Sequence, residues 1–451
     1  MEFVGSQALD DLIRKMRSGR IKRRTFLEQA LVLGLTTSGA SSLLAACGGS
    51  SNSSAGNGPA LNIVWESHFS DTYKVYQNLA DEFNRTNKHG IHVTYIDGPN
   101  GATQLHSIFL NMLTARSSSI DIMSMDTTWP AEFALNQWVV PIESRWPASE
   151  RAKYLATPIQ SCTFGGQIWA APFNTDAGLL YYRKDLIPTP PSSWEELTDT
   201  ATRLQANGSV KSGYVWQGAS YEGLVDDFIE VLHGYGGAIL DLQNPKSVTV
   251  NSPQAVDALT TMANWVGTIS PDLVLQGKEE NIRTYWQQGQ TALMRNWPYA
   301  YALGNAPTSK VAGKFNVSSI PYGGTNRVGH SAVGGWNLGI NAFSKPDKID
   351  ASWQFVQYVL SEKGQRRLAL EASLLPTLKS VYQDQDVLTK NPFFQHLGPV
   401  LQTALPRPTS PRYTDLSLAI QSRVSSALMK HNSPAQALAA LESDLKLIVN
   451  S

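Results

Sequence analysis

The chain has 451 residues with 37 basic and 37 acidic side chains, and this balanced charge argues against nucleic acid or an acidic surface as a partner. An apolar fraction of 42% with only 16% charged residues is typical of a globular protein with a large core. The length predicts two or three domains, or one large two-lobed unit.

The first residues of the chain carry an export pattern. The twin-arginine pair Arg23-Arg24 precedes a mildly apolar stretch over residues 30–46, and Leu-Ala-Ala then leads into Cys47. This pattern resembles a twin-arginine signal peptide that ends in a lipobox, whose cysteine is lipidated. A transmembrane helix is the alternative, but the stretch is short and polar for a hydrocarbon core of about 30 Å. We therefore predict a signal peptide over 1–46 and anchoring to the outer face of the cell membrane through Cys47.

Residues 47–58 are rich in serine, glycine and asparagine, and we predict that they form a flexible tether after the lipidated cysteine. Cys162 is the only other cysteine, so once Cys47 is lipidated no intrachain disulfide is available and no cysteine-based metal site can form. We expect Cys162 to be a small buried apolar side chain. We expect no cofactor and no metal.

The N-terminal part of the mature chain alternates between strand and helix patterns. Helices are predicted from about Asp71 and from Ala102, and the inward face of the second one is expected to carry Leu105, Ile108, Phe109 and Met112. The alternation predicts a mainly parallel sheet with helices on its faces, and ligands bind beyond the carboxyl ends of such strands. Asp126 follows one of these strands. The predicted strands are 61–65, 91–96 and 120–125.

The stretch from Ala171 to Asp185 is the predicted centre of the fold. Its apolar run over residues 177–182 is typical of a buried strand in a mainly parallel sheet. Asp176 is placed immediately before that strand, and a carboxylate there must be hydrated, paired or offered to a ligand because burying it alone is costly. A strand-capping aspartate at a surface turn is the plainer alternative.

Residues typical of turns and of helix caps recur in the rest of the chain. Gly165-Gly166 predicts a two-residue hairpin, and Ser193, Ser252 and Ser433 each precede a predicted helix. A further helix is predicted from Tyr221. The remaining predicted strands are 213–217, 291–294 and 333–340.

Polar and aromatic residues recur at the ends of the predicted strands. Hydrogen-bonding acids, one guanidinium and flat aromatic faces together are what a sugar requires. Singly, each has a plainer role: Trp297 as core filler, Glu222 as a first-turn helix acid and Arg407 as half of a surface ion pair. The recurring groups are Asp126 with Trp129, Asn174 with Asp176, Asn296 with Trp297 and Tyr299, and Trp336 with Asn337.

Enzyme motifs are sparse. Asp126, Asp176 and Glu222 could serve a glycosidase, which needs two carboxyl groups ~5 to 9.5 Å apart. The nearest approach to a serine-hydrolase elbow begins at Gly329 and lacks the closing glycine. A secreted glycosidase therefore stays as the rival to a sugar receptor.

Several motifs together resemble the trehalose/maltose-binding lipoproteins of the family 1 extracellular solute-binding proteins, which serve ABC importers. The similarity extends over residues 61–449. The motifs are Val215-Trp216-Gln217-Gly218, Tyr221-Glu222-Gly223-Leu224-Val225, the run from Asp176 to Asp185, Arg295-Asn296-Trp297-Pro298-Tyr299, Gly334-Gly335-Trp336 and Pro406-Arg407-Pro408.

The resemblance implies a set of sugar-contacting residues. Near the N-terminus relatives have a Glu and an Arg, where this chain offers Asp71 and either Gln104 or His106. This departure bears on which disaccharide fits, because an unmatched polar partner changes discrimination. The residues implied at sugar-contacting positions are Asp126, Asn174, Asp176, Glu222, Trp297, Tyr299, Gly335, Trp336 and Arg407.

The implied fold is α/β and two-lobed, of the type II periplasmic-binding-protein kind, with a mainly parallel sheet in each lobe. Three crossings are placed near residues 173–176, 335–339 and 392. One lobe is then 59–173 plus 340–391, and the other is 174–339 plus 392–451.

The implied function is that of a non-enzymatic, monomeric receptor for trehalose or maltose, which closes on its ligand by a hinge and delivers it to the membrane permease subunits of an ABC importer. A receptor for a longer oligosaccharide or a phosphorylated polyol is a further alternative. Phosphate would call for several basic residues in the cleft, and only Arg407 is evident.

Overall fold

The computed structural model describes residues 61–68, 74–99, 101–241, 244, 246–408 and 410–450. The predicted signal peptide, Cys47, the tether and Asp71 lie outside the described residues. Within the described part of the chain, no helix combines the length and apolar character needed to cross a bilayer.

Strands and helices alternate along the chain, as predicted for an α/β protein. The strands are β1 Leu61–Ser67, β2 Ile91–Asp97, β3 Ile122–Asp126, β4 Thr163–Phe164, β5 Gln167–Ile168, β6 Ala171–Ala177, β7 Leu179–Arg183, β8 Ser212–Val215, β9 Thr291–Asn296, β10 Phe315–Ser318, β11 Val333–Ile340 and β12 Leu375–Pro376. The α-helices are α1 Val75–Thr86, α2 Ala102–Thr114, α3 Pro130–Leu135, α4 Ala148–Arg151, α5 Ala156–Ser161, α6 Trp194–Ala206, α7 Glu222–Gly234, α8 Pro253–Trp265, α9 Glu279–Gln287, α10 Ala300–Gly304, α11 Pro346–Leu360, α12 Glu362–Ala372, α13 Gln385–Lys390, α14 Leu397–Thr403, α15 Tyr413–Leu428 and α16 Pro434–Val449. Short 3-10 turns occupy Glu143–Arg145, Asp272–Gln276, Lys379–Gln383 and Pro392–His396.

The strands form two main sheets, one for each lobe. The larger has the order β12-β6-β11-β3-β1-β2 and the smaller has the order β10-β7-β9-β8. Helices α11 and α12 pack on the larger sheet, whereas α15 packs against α7, α8 and α16 beside the smaller one.

Both sheets are mixed, so the predicted mainly parallel sheets are wrong in this detail. In the larger sheet β1 pairs parallel with β2 and β3, but β11 runs antiparallel to β3 and β6. In the smaller sheet only β8 and β9 are parallel. Parallel neighbours need a helical crossover between them, whereas β11 enters the larger sheet as a returning segment and runs the opposite way.

The predicted central stretch passes from one sheet to the other at Gly178. Asp176 lies inside β6 and not before a strand, and the predicted strand over 177–182 is observed as β7 from Leu179. The strand predicted over 333–340 is confirmed with those bounds, and its whole length belongs to the larger sheet. The lobe boundaries at 173/174, 339/340 and 391/392 stay a prediction.

Each lobe has an aromatic core. Trp65 is fully buried and contacts the rings of Tyr76, Phe173 and Phe355 in the larger lobe. Trp194 and Trp265 pack together in the smaller one, so several of the twelve tryptophans are core residues. The predicted local features are confirmed as well. Ser193, Ser252 and Ser433 cap their helices, the Gly165-Gly166 hairpin forms, and Cys162 is buried, which raises the pKa of its thiol.

Only part of the inward face of α2 is as expected. Leu105, Phe109 and Leu113, spaced four residues apart, are fully buried. Ile108 is 41% exposed and Met112 is half-buried. The prediction is therefore confirmed at Leu105 and Phe109 and wrong at Ile108 and Met112, because tertiary contacts decide which side of an apolar helix packs.

Gly178 is where we expect a single methyl group to destabilise the fold. A Cβ atom there would lie 1.9 Å from Glu230 Oε1 and 2.6 Å from Arg295 Nη2, two side chains that hold each other in a buried ion pair. Gly178→Ala should lower the free energy of unfolding by about 1–3 kcal/mol, as overpacked cores do. Urea denaturation measures the loss.

Gly398→Ala is the matched control, because a Cβ there meets nothing within 4 Å and the residue lies in α14. It should leave stability unchanged or raise it slightly. Equal effects of the two substitutions would contradict the steric argument.

Candidate functional site

A cleft with an empty volume of about 780 Å³ lies between residues of the two sheets, within the usual range for small-molecule sites. Elements of both lobes line it. The predicted site residues in its lining are Asp126, Asp176, Glu222, Trp297, Tyr299, Gly335, Trp336 and Arg407.

Strand register in the larger sheet places these residues side by side. Trp336 of β11 lies opposite Asp126 of β3 and opposite Asn174 of β6. Gly335 has a φ of 121°, and a Cβ there would lie 2.4 Å from the carbonyl oxygen of Asn174, so only glycine fits. The sheet edge and the bend at Gly335 together present the ring of Trp336 to the cleft.

Arg407 ties acids from both lobes together. Its Nη2 donates to Asp126 Oδ1 and to Thr127 Oγ1 at 2.7 and 2.9 Å, and its Nη1 donates to Glu222 Oε1 at 2.7 Å. Its Nε lies 3.3 Å from Asp226 Oδ1. Asp126 ends a strand of the larger sheet, whereas Glu222 and Asp226 belong to α7, so the buried guanidinium joins the two walls of the cleft.

The first turns of α7 supply the acids on the opposite wall. Glu222 and Asp226 are four residues apart and share one face of the helix. Tyr413 and Ser417 of α15 donate hydroxyl hydrogen bonds to Glu222. Burial raises the pKa of Asp226 well above its ordinary value, although Arg407 opposes the rise. One guanidinium shared among three acids does not offset the desolvation of all of them.

Asp176 has an acceptor free for a ligand. Asn174 Nδ2 donates to its Oδ2 at 3.0 Å, whereas its Oδ1 is buried and has no hydrogen-bond partner among the described residues. Burial raises the pKa of Asp176 to about 8. The carboxyl group is therefore mostly protonated at neutral pH, and it can donate as well as accept a hydrogen bond.

Aromatic rings line the cleft in fixed orientations. The ring of His68 stacks on that of Trp336 with centroids 3.9 Å apart. The guanidinium of Arg295 lies 3.9 Å from the ring centroid of Trp297, and Glu230 holds Arg295 through two hydrogen bonds. Trp297 is therefore braced from behind by a buried ion pair.

The other predicted contacts lie elsewhere. Asn174 is buried behind Asp176, and Gln104 is exposed on α2. His106 is buried outside the cleft lining, where its Nε2 lies 2.8 Å from Glu132 Oε2. Thr414 of α15 donates to the same carboxylate at 3.0 Å, so this group is a contact between the lobes.

The cleft also contains residues that the sequence reasoning did not select. Asp226 could have been linked to Glu222 by its helical spacing, and the paired acids at the start of α9 by their place at a helix N-terminus. Tyr221 stands next to Glu222 in a family motif but was not assigned a sugar contact, and His68 carried no such signal. The additional lining residues with functional side chains are His68, Tyr221, Asp226, Glu279 and Glu280.

Comparisons with known proteins agree with this architecture. Residues 66–366 match the family described as bacterial extracellular solute-binding protein. The Probable ABC transporter-binding protein of Deinococcus radiodurans is 37% identical over 374 residues, which cover 80% of this chain and 87% of that protein.

Solved structures show the same two-lobed fold. The maltose-bound MalE3 protein of T. maritima has a TM-score of 0.82 at 34% identity, covering 86% of this chain and 100% of that one. The GacH receptor of Streptomyces glaucescens, solved unliganded and in complex with acarbose and an acarbose homolog, has a TM-score of 0.77 at 26% identity, covering 87% and 99%. The predicted α/β, two-lobed fold is thereby confirmed.

The raised pKa of Asp176 predicts a pH-dependent stability. Between its ordinary pKa of 3.8 and the folded value of about 8, the unfolded chain has released a proton that the folded protein keeps. Stability from this group is therefore fully present below pH 4 and is lost as the pH rises through 8. Asp176→Asn removes this pH-dependent loss. The difference in the free energy of unfolding between variant and parent should therefore be more favourable to the variant at pH 8 than at pH 4, by up to about 5 kcal/mol.

Urea denaturation of the parent and the variant at both pH values checks this. Asp185→Asn is the control of opposite sign, since a hydrogen bond from Arg183 lowers the pKa of Asp185. The stability that Asp185 contributes is lost only as the pH falls below 3.8, so the cost of its substitution should be nearly the same at pH 8 and at pH 4. A pH-independent effect of Asp176→Asn would contradict the assignment.

Proposed function

This chain belongs to the bacterial extracellular solute-binding protein family, whose members serve ABC transporters, and from that premise we propose that its cleft binds an α-linked glucose disaccharide, trehalose or maltose. The ligand is held between the lobes and released unaltered. The proposed contacts are Asp126, Asp176, Glu222, Trp297, Tyr299, Gly335, Trp336 and Arg407, with Asn174 orienting Asp176.

The observation that carries the proposal is the pairing of flat rings with fixed acids in one cleft. Trp336 and Trp297 are held by His68 and Arg295, so their faces are preorganised for the C–H side of a sugar ring. Asp176 offers an unpartnered carboxyl oxygen to a hydroxyl group. The relative solved with maltose is 34% identical and is covered along its whole length, which supports the choice of an α-glucoside.

A glycosidase is the less favoured alternative. Asp126 and Glu222 both accept hydrogen bonds from the Arg407 guanidinium, so each carboxyl group is already engaged by a fixed cation. Purified protein incubated with trehalose and maltose should leave both sugars intact by chromatography, and release of glucose would overturn the receptor proposal.

A receptor for phosphorylated polyols also finds little support. Of the described residues that line the cleft, only Arg407 is a permanent cation, and carboxylates already occupy its guanidinium. A longer oligosaccharide stays open as an alternative and belongs in the same ligand panel.

Two cleft residues test the site directly. Trp297→Ala removes a ring face and Asp126→Ala removes one anchor of Arg407, so each should weaken trehalose and maltose binding by about tenfold or more. Tryptophan fluorescence titration and calorimetry measure the affinity. Trp169→Ala is the matched control, because Trp169 is also half-buried but does not line the cleft. Unchanged affinity in both cleft variants would remove them from the site.

The contact between the lobes tests hinge closure. Thr414→Val removes the hydroxyl that bonds Glu132, so a closed form should be less populated and every ligand should lose the same factor of affinity, about threefold to tenfold. Small-angle scattering should show a more open unliganded protein. Thr202→Val is the control, since that hydroxyl bonds only within α6. A loss that differs between sugars would instead indicate a direct contact.

We also propose that the protein is a lipoprotein, on the strength of the sequence before and at Cys47. Two acyl chains on one cysteine suffice for stable anchoring, whereas a single chain is marginal. Cys47→Ala should move the protein from the membrane fraction to the medium, as followed by fractionation and immunoblotting. Retention of the variant in the membrane fraction would overturn lipid anchoring.

A further inference from the structure

The cleft is more acidic than a neutral sugar requires. Six carboxyl groups line it, and the only permanent cation in its described lining is Arg407. Arg283 reaches Glu280 from outside the cleft. Arg407 pairs with three of the six acids and Arg283 with a fourth, which leaves two carboxyl groups without an ion pair among the described residues. The six acids are Asp126, Asp176, Glu222, Asp226, Glu279 and Glu280.

Asp176 and Glu279 have no ion pair with any described Lys or Arg. Arg295 lies nearby, but Glu230 and Asp227 already balance its charge. Burial raises the pKa of both carboxyl groups, which shows that each lies where a negative charge is poorly solvated. A positively charged ligand group beside these carboxyl groups would favour their ionised forms, whereas a phosphate would bring a further negative charge to them.

The geometry at Asp176 suits such a group. Its Oδ1 is unpartnered, the residue is 7% exposed, and it lines the cleft. Gly334 lies between Asp176 and the ring of Trp297, and a Cβ there would lie 2.9 Å from that ring, so the glycine keeps this corner open. An ammonium group donates up to three hydrogen bonds and accepts none, which matches a corner made of acceptors and a ring face.

We propose that the cleft prefers a disaccharide carrying a protonated amine over its uncharged parent, with the ammonium group bound by the Asp176 carboxylate, and that it rejects phosphorylated sugars. The inference rests on the proposed disaccharide function and names a finer ligand class for the same site. Binding the ammonium ionises Asp176, and the proton released passes to the buffer.

Calorimetry at pH 7 with trehalose, its 2-amino-, 4-amino- and 6-amino-deoxy derivatives and trehalose 6-phosphate tests this. At least one amine should bind tenfold or more tightly than trehalose, and the phosphate should bind more weakly. The advantage of the amine should shrink between low and high salt. Paired titrations in two buffers of different ionisation enthalpy should show proton release with the amine and none with trehalose.

Two variants distinguish recognition of the ligand's charge from recognition of its shape. In Asp176→Asn the ratio of amine to trehalose affinity should fall towards one, whatever the absolute loss, whereas Glu280→Gln, whose acid is already paired with Arg283, should keep the ratio. Trehalose binding without a preference for any amine overturns this inference alone. Amine binding without trehalose binding overturns the neutral-disaccharide proposal alone, and failure of every disaccharide overturns both.

Discussion

The Arg407 guanidinium donates to carboxylates on both walls of the cleft, and the arrangement of the site depends on that contact. Removing several charges from water is costly, and the cost is recovered only where each hydrogen-bonding group has a partner. Here one cation donates hydrogen bonds to Asp126 and Glu222 and lies within ion-pair distance of Asp226, while Tyr413 and Ser417 complete the shell of Glu222. The polar centre is therefore rigid, but acid remains in excess.

A second buried ion pair, between Arg295 and Glu230, supports the aromatic side of the cleft. Arg295, bonded by Glu230, lies under the ring of Trp297, and the same helix that provides Glu222 also provides Glu230. Helix α7 is thus buried along its whole length although it is rich in acids, because each of its turns faces an arginine or a hydroxyl group from another element. The ring face presented to a ligand is fixed by charges that the ligand never touches.

The ends of the mixed sheets explain why the cleft is where it is. The chain passes between the sheets at Gly178, where no side chain fits, and β11 carries Gly335 and Trp336 to the same edge. Close backbone approach needs glycine at these points, whereas the ligand faces need large rings. Small and large residues therefore alternate along the segments that join the lobes.

By itself the sequence determined the local structure: the Ser caps, the Gly-Gly hairpin, the bounds of β11, and the clustering of acids and rings at strand ends. These features depend on neighbours in the chain, so pattern and propensity suffice. The family motifs added the two-lobed fold and eight residues that the structure brings together in one cleft.

Only the tertiary structure decided strand direction, the proton on Asp176, and the partners of Arg407 and His106. Each depends on groups distant in sequence: Arg407 meets Asp126 across 281 positions, and His106 meets Glu132 and Thr414 instead of a ligand. Burial and pairing belong to the assembled lobes, and no local pattern encodes how much water a carboxylate will lose.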